Sequence, residues 1–144
     1  MKLKIGIAAD HGGYRYKQAI IDKFPQIEWL DLGTENTESV DYPDFAHEMA
    51  QRIRGGEIKT GILVCGTGIG ISIAANRHPE IRAAVCTNAT MARLTRAHNN
   101  ANVLALGERI IGIETAFDIV ETFLSSEFEG GRHERRVNKI NITP

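Results

Sequence analysis

Short apolar runs, rich in β-branched residues and bounded by turn residues, recur at Leu3 to Ala9, Ile27 to Leu32, Thr60 to Cys65, Arg82 to Cys86 and Asn102 to Leu106. Runs of this length and composition predict five strands. Helical spacing fills the intervals. It is clearest after the fifth run, where Ala116, Ile119, Val120, Phe123 and Leu124 recur at i, i+3, i+4, i+7 and i+8 and form a stripe that should face a sheet. Phe45, Met49 and Ile53 mark another helix, entered through Pro43-Asp44 and ended by Gly55-Gly56, and Tyr14 to Phe24 a third, stopped before Pro25. Strict alternation of strand and helix argues for parallel neighbours joined by right-handed crossovers. The expected fold is therefore a three-layer, Rossmann-like α/β sandwich around a five-stranded parallel sheet. Beyond Ser126, Gly130-Gly131 reads as a hinge before a last, basic helix containing Arg132, Arg135 and Arg136. The polar stretch Gly33 to Asp41 is expected to be a connection with some freedom to move.

Composition narrows the picture mainly by exclusion. A length of 144 residues fits one domain, here taken as 1–144, with residues 129–144 as a tail that packs on a neighbouring subunit. Basic and acidic residues number 17 and 18, so a broad electrostatic footprint for nucleic acid is not expected. No apolar run approaches the ~18 residues of a membrane span, and the strand-like pattern begins at once, without a signal peptide. A cytoplasmic location is expected. Cys65 and Cys86 are too few for a disulfide scaffold and fit a compartment where thiols stay reduced. The five histidines show no metal-ligand spacing with either cysteine, so no metal is expected.

Ligands of open α/β sheets bind beyond the carboxyl ends of the strands, near the point where strand order reverses. The first strand ends in Asp10-His11-Gly12-Gly13, the third in Cys65-Gly66-Thr67-Gly68-Ile69-Gly70, and the fifth runs into Gly107-Glu108-Arg109. If strands one and three are neighbours, Asp10 and Cys65 share a crevice. The glycines from Gly66 to Gly70 let backbone approach a ligand, and free N–H groups at a helix start favour negative charge. The segment lacks the lysine of a nucleoside-triphosphate loop and the spacing of a dinucleotide loop, and Ile71 stands where a cysteine phosphatase needs arginine. What remains is a thiol beside an anion cradle. Thiols at helix N-termini act as nucleophiles or bases near neutral pH, although Cys65 is equally readable as a small buried residue closing a strand. Asp10 is either a helix N-cap or a site acid, and His98 either a dipole partner in a last helical turn or an acid. Arg132 and Arg136 share a helix face, an arrangement that a phosphate would stabilise and that a solvated terminus would also tolerate. That tail can close over the crevice of its own chain or reach a neighbour's.

Asp10-His11-Gly12-Gly13, Asp41-Tyr42-Pro43, Cys65 to Asn76, His98-Asn99, Asn102-Val103-Leu104 and Gly130-Gly131-Arg132-His133, in this order and over nearly the whole chain, resemble the ribose-5-phosphate isomerase B family. The resemblance implies an aldose-ketose isomerase of the pentose phosphate pathway, without cofactor or metal, acting on ribose 5-phosphate. Allose 6-phosphate and galactose 6-phosphate are the substrates of sister enzymes. It implies Cys65 as the base that takes the C2 proton, His98 as the ring-opening acid, and Asp10 assisting hydroxyl proton transfers. The cis-enediolate would be held by the Gly66, Thr67, Gly68, Ile69 and Gly70 amides and the Thr67 hydroxyl. His11, Arg132 and Arg136 would bind phosphate, with Asn99 and Arg109 completing the contacts, in sites formed at a dimer interface of a homodimer or a dimer of dimers. Some relatives carry serine at position 65 and a glutamate base four residues on; here that later position is Ile69, which puts the chain in the cysteine branch. A non-catalytic flavodoxin-like phosphate-binding module, or a cysteine hydrolase or transferase, are the other readings of the same residues.

Overall fold

The computed structural model describes residues 2–142. Five strands, β1 (Lys4–Ala9), β2 (Glu28–Asp31), β3 (Gly61–Cys65), β4 (Ala83–Val85) and β5 (Val103–Gly107), alternate with α1 (Tyr14–Lys23), α2 (Tyr42–Arg54), α3 (Ile69–Ala75), α4 (Ala89–Asn99) and α5 (Ile113–Ser125), and α6 (Arg132–Val137) follows. The sheet is parallel throughout, in the order β2-β1-β3-β5-β4. This is the expected three-layer α/β sandwich, with a basic helix at its end.

Strand periodicity decides which helix covers which face. Ile5, Ile7, Ala9, Ile62, Val64, Leu104 and Leu106 point to one side, where they pack with Ile20 of α1, Ala92 of α4 and Ala116, Ile119, Val120 and Phe123 of α5. Ala8, Leu63, Cys65, Val103 and Ala105 point to the other, against Ala46, Met49 and Ala50 of α2 and Ile71 and Ala75 of α3. The three central strands are apolar on both faces because both are covered. Their neighbours in sequence end at turn residues: the backbone N–H of Phe24, just before Pro25, closes α1 onto the Ile20 carbonyl, Asn88 caps α4 by accepting the Met91 N–H at 2.8 Å, and Asn100 takes a left-handed conformation to end α4.

Two features bear directly on the site. Strand β1 lies between β2 and β3, so the chain leaves it on one side and returns on the other, and the strand-order reversal falls between β1 and β3. The connection Gly33 to Asp41 is held at its two ends, while residues 35–39 between them are exposed. The Ala9 N–H donates to Gly33 O and the Thr34 N–H to Ala9 O, both at 2.8 Å, and the Val40 N–H donates to His11 Nδ1 at 3.2 Å. Beneath its start, the fully buried Lys17 ammonium donates to both Asp31 oxygens at 2.9 Å, and Asp31 Oδ1 accepts the Gly33 N–H at 3.0 Å. A buried cation needs such a partner, and here the pair anchors the loop that borders the crevice.

Candidate active site

The crevice is built from backbone before any side chain enters it. Residues 10–13 leave β1 in a tight turn: the Asp10 N–H donates to Val64 O at 3.2 Å, the Gly13 N–H to Asp10 O at 3.1 Å, and the Gly12 N–H to the Asp10 carboxylate at 2.9 Å. Asp10 is thus not the cap of α1, whose N-cap is Gly13 without any side-chain bond. Its carboxylate is buried and held in place by Gly12. Gly13 is required sterically, since a Cβ there would collide with the Val64 carbonyl. Close approach at this point brings Gly12 against Gly66, so that the ends of β1 and β3 touch.

Cys65 is the last residue of β3, free and buried, and its side chain faces the α2–α3 layer. The chain then turns through Gly68, whose φ of 79° and contact with the Leu106 carbonyl leave no room for a side chain. That turn aims the Gly68 N–H at Cys65 Sγ, 3.1 Å away. The Ile69 N–H is likewise engaged, by Thr67 Oγ1 at 3.1 Å. The five amides expected to face a ligand therefore divide: those of Gly68 and Ile69 serve the site's own thiol and hydroxyl, whereas those of Gly66, Thr67 and Gly70 have no protein acceptor among the described residues. Arg109 folds back from the end of β5, its N–H donating to Gly66 O at 2.9 Å and its side chain lying along Gly66. Asp10, His11, Cys65, the 66–70 loop and Arg109 are brought together, as expected for one crevice.

His11 illustrates how the fold sets a protonation pattern. Because Nδ1 accepts the Val40 N–H, the neutral ring carries its proton on Nε2 and presents a donor on that side. Tyr42, whose ring covers Gly70, is a crevice residue to which the sequence analysis gave no role. Its signal in the sequence was its place in the Asp41-Tyr42-Pro43 motif, an aromatic residue directly before the proline of an N-terminal helical turn.

His98, Asn99, Arg132 and Arg136 are gathered elsewhere. Helix α4 runs antiparallel to the strands, so its last turn, with His98 and Asn99, lies at the amino edge of the sheet. The length of β5, four steps of about 3.3 Å, separates that edge from Cys65 by about 13 Å. Helix α6 packs on α4, and His98, Asn99, His133, Arg136, Val137 and Ile140 line a recess of about 320 Å³. The tail therefore does not close over the crevice of its own chain, and His98 does not meet its own Cys65. His133, another residue without an assigned role, stacks on His98 with ring centroids 4.2 Å apart and planes within 12°. Burial first, then His98 and Arg132, hold the His133 imidazole below the usual range, which favours its neutral form. Cys86, by contrast, is pushed up to about 11 by burial alone and has no place in either cluster.

The fold and crevice define a class: an α/β protein with a thiol, a fixed carboxylate and unoccupied backbone donors at the β1–β3 reversal, suited to moving a proton on a small anionic substrate. A profile of the ribose/galactose isomerase family matches residues 5–140, and the chain belongs to that family. The chain is 46% identical to ribose-5-phosphate isomerase B of Escherichia coli over 139 residues, which cover 95% of this chain and 93% of that one. It is 45% identical to a putative sugar phosphate isomerase of Bacillus subtilis, across 96% and 95% of the two chains. Among solved structures, ribose-5-phosphate isomerase B of Clostridium thermocellum superimposes with a TM-score of 0.93 at 58% identity over 96% and 95% of the chains, and that of Thermotoga maritima with 0.94 at 54% over 97% and 98%.

Proposed function

We propose that this protein interconverts ribose 5-phosphate and ribulose 5-phosphate, in the pentose phosphate pathway, with Cys65 as the base. The observation that carries the reading is the Cys65 thiol at the strand-order reversal, with the Gly68 N–H directed at its sulfur and Asp10 fixed across the same crevice. In the open aldose the C2 hydrogen is acidic only through the adjacent carbonyl, so the reaction needs a base at C2 and donors at the oxygens of C1 and C2. Cys65 removes the C2 proton. The free N–H groups of Gly66, Thr67 and Gly70 face the negative charge of the cis-enediolate, Asp10 shuttles the hydroxyl proton, and the thiol returns its proton to C1. C2 is oxidised and C1 reduced within the one molecule, so no external oxidant or reductant is consumed, and none of the steps calls for a metal.

Ring opening and phosphate binding require the second cluster, and one chain keeps the two clusters at opposite edges of the sheet. A second copy resolves this. In our reading a homodimer, or a dimer of such dimers, presents His98, Asn99, Arg132 and Arg136 of one subunit to the crevice of the other. His98 then protonates the ring oxygen, the arginines grip the phosphate together with His11 Nε2, and Arg109 closes the sugar contacts. The surface beside the crevice supports such a contact: Ile69 and Ile73, four residues apart on α3, are each 55% exposed, and Ile110 is 57% exposed. With no helix long and apolar enough to cross a membrane among the described residues, and with both thiols free, the reading places the enzyme in the cytoplasm.

Purified protein should be equilibrated in chelator with ribose 5-phosphate, allose 6-phosphate and galactose 6-phosphate, following ketose formation, before and after thiol alkylation. Conversion of the pentose, lost on alkylation, is expected. Preference for a hexose phosphate overturns the substrate, and full activity after Cys65 is alkylated overturns the base.

A further inference from the structure

The histidine spacing gives no metal motif, yet folding assembles one. His98 at the end of α4, Glu129 in the segment before α6, and His133 in the first turn of α6 place one ligand atom each within 4.8 Å of one another. Backbone fixes this grouping, because the Glu129 N–H donates to Ala97 O at 3.0 Å, one residue before His98, and the His133 N–H donates to Gly130 O at 3.1 Å. The third feature is an unmet need. His133 is 6% exposed, and its Nε2 is buried without a hydrogen-bond partner; Glu129 Oε1 stands 3.7 Å away, beyond hydrogen-bonding range. A buried polar atom left this way calls for an occupant.

We propose that His98, Glu129 and His133 form a binding site for a divalent transition metal of the zinc class. Two imidazoles and one carboxylate are the donor set that zinc, cobalt and nickel take, whereas calcium and magnesium prefer all-oxygen shells. Ligand atoms around a tetrahedral ion lie about 3.3 Å apart when the bonds are near 2.05 Å. His133 is the fixed member. The half-buried His98 and the exposed Glu129 reach that spacing by a tilt of one ring out of the stack and a rotamer change of the carboxylate. Three protein ligands leave a fourth position for water. A metal here takes up a ring nitrogen of His98 and fixes the ring, so occupation inhibits the isomerase; this consequence rests on the ring-opening role given to His98 above.

The test uses the full-length Cys65→Ser protein, so that the crevice thiol cannot bind metal, and titrates it with cobalt(II). Visible d–d bands with a stoichiometry of one ion per chain are expected, without sulfur-to-cobalt charge transfer, and with zinc displacing the cobalt. Glu129→Gln in the same background should weaken binding by about 10- to 100-fold; Glu129 is exposed, so this variant keeps the fold. His133→Asn, checked by circular dichroism, should abolish the bands. Absence of bands up to millimolar cobalt, or bands indifferent to both substitutions, overturns the site. With Cys65 intact, micromolar zinc should inhibit turnover reversibly by chelator, and Glu129→Gln should relieve the inhibition. Cobalt held by the trio with no effect on turnover would count against the role of His98 in ring opening while leaving the metal site standing.

Discussion

The crevice at the carboxyl ends of β1 and β3 and the cluster where α4 meets α6 are assembled by different means. In the crevice, positions are set by main chain: Gly13 and Gly68 allow backbones to touch, and amide hydrogens orient Asp10, Cys65 and Thr67. At the other site, long side chains gather around a buried histidine, and both Arg132 and Arg136 remain exposed. A backbone-built site is preorganised and pays little to order on binding, which suits the chemical step. A side-chain site gains its order from the anion it meets. Under the function proposed above, the division matches a reaction in which proton transfer at C2 needs fixed geometry and phosphate capture needs reach.

The sharpest way to break the comparison is at the thiol. Cys65→Ser should lower kcat by roughly 10³-fold with little change in KM, because it removes the base and leaves the cradle; steady-state rates on ribose 5-phosphate measure this, and a high residual kcat would return Cys65 to a packing role. The paired change Arg132→Ala and Arg136→Ala should act on the other parameter, raising KM by about 10- to 100-fold through lost charge-assisted hydrogen bonds. Equal loss in kcat alone would mean that the arginines do not hold the ground-state phosphate. Mixing inactive Cys65→Ser and His98→Ala proteins under subunit exchange then tests whether the two regions meet across subunits. Half of the reassorted dimers would carry one intact site of two, restoring about a quarter of wild-type activity, whereas sites contained within one chain would restore none.

The smallest expected effect concerns pH. The His133 imidazole is held below its usual range in the folded state by burial and by His98 and the arginines. Unfolded chains therefore take up a proton near pH 6.5 that the native protein refuses, so stability falls as pH drops through that value and levels off below the native pKa. The urea midpoint should decline as the pH falls through about 6.5, and His133→Asn should flatten the decline. An unchanged slope would show that His78, similarly lowered by burial and His47, or other groups dominate.

Much of this molecule was legible before any coordinates. The five apolar runs became five strands with boundaries moved by a residue or so, because the central strands, covered on both faces, must be apolar at every position, and turn residues mark where pairing stops. Asp10, Cys65, the glycine loop and Arg109 were readable as one group because strand ends of a parallel sheet converge on one edge whatever the side chains. Local sequence carries no information on distances between segments far apart in the chain, and there the tertiary structure decided. It placed β5 beside β3 and β4 at the edge, and it spent two loop amides on the thiol and the Thr67 hydroxyl. It buried Lys17 against Asp31, set Tyr42 over Gly70, and separated His98 from Cys65 by the length of a strand. The same step brought Glu129 and His133 to His98. Periodicity and turn chemistry are properties of neighbours along the chain, whereas a site made of residues 10, 65, 98 and 133 exists only once the crossovers have fixed which edge of the sheet each one occupies.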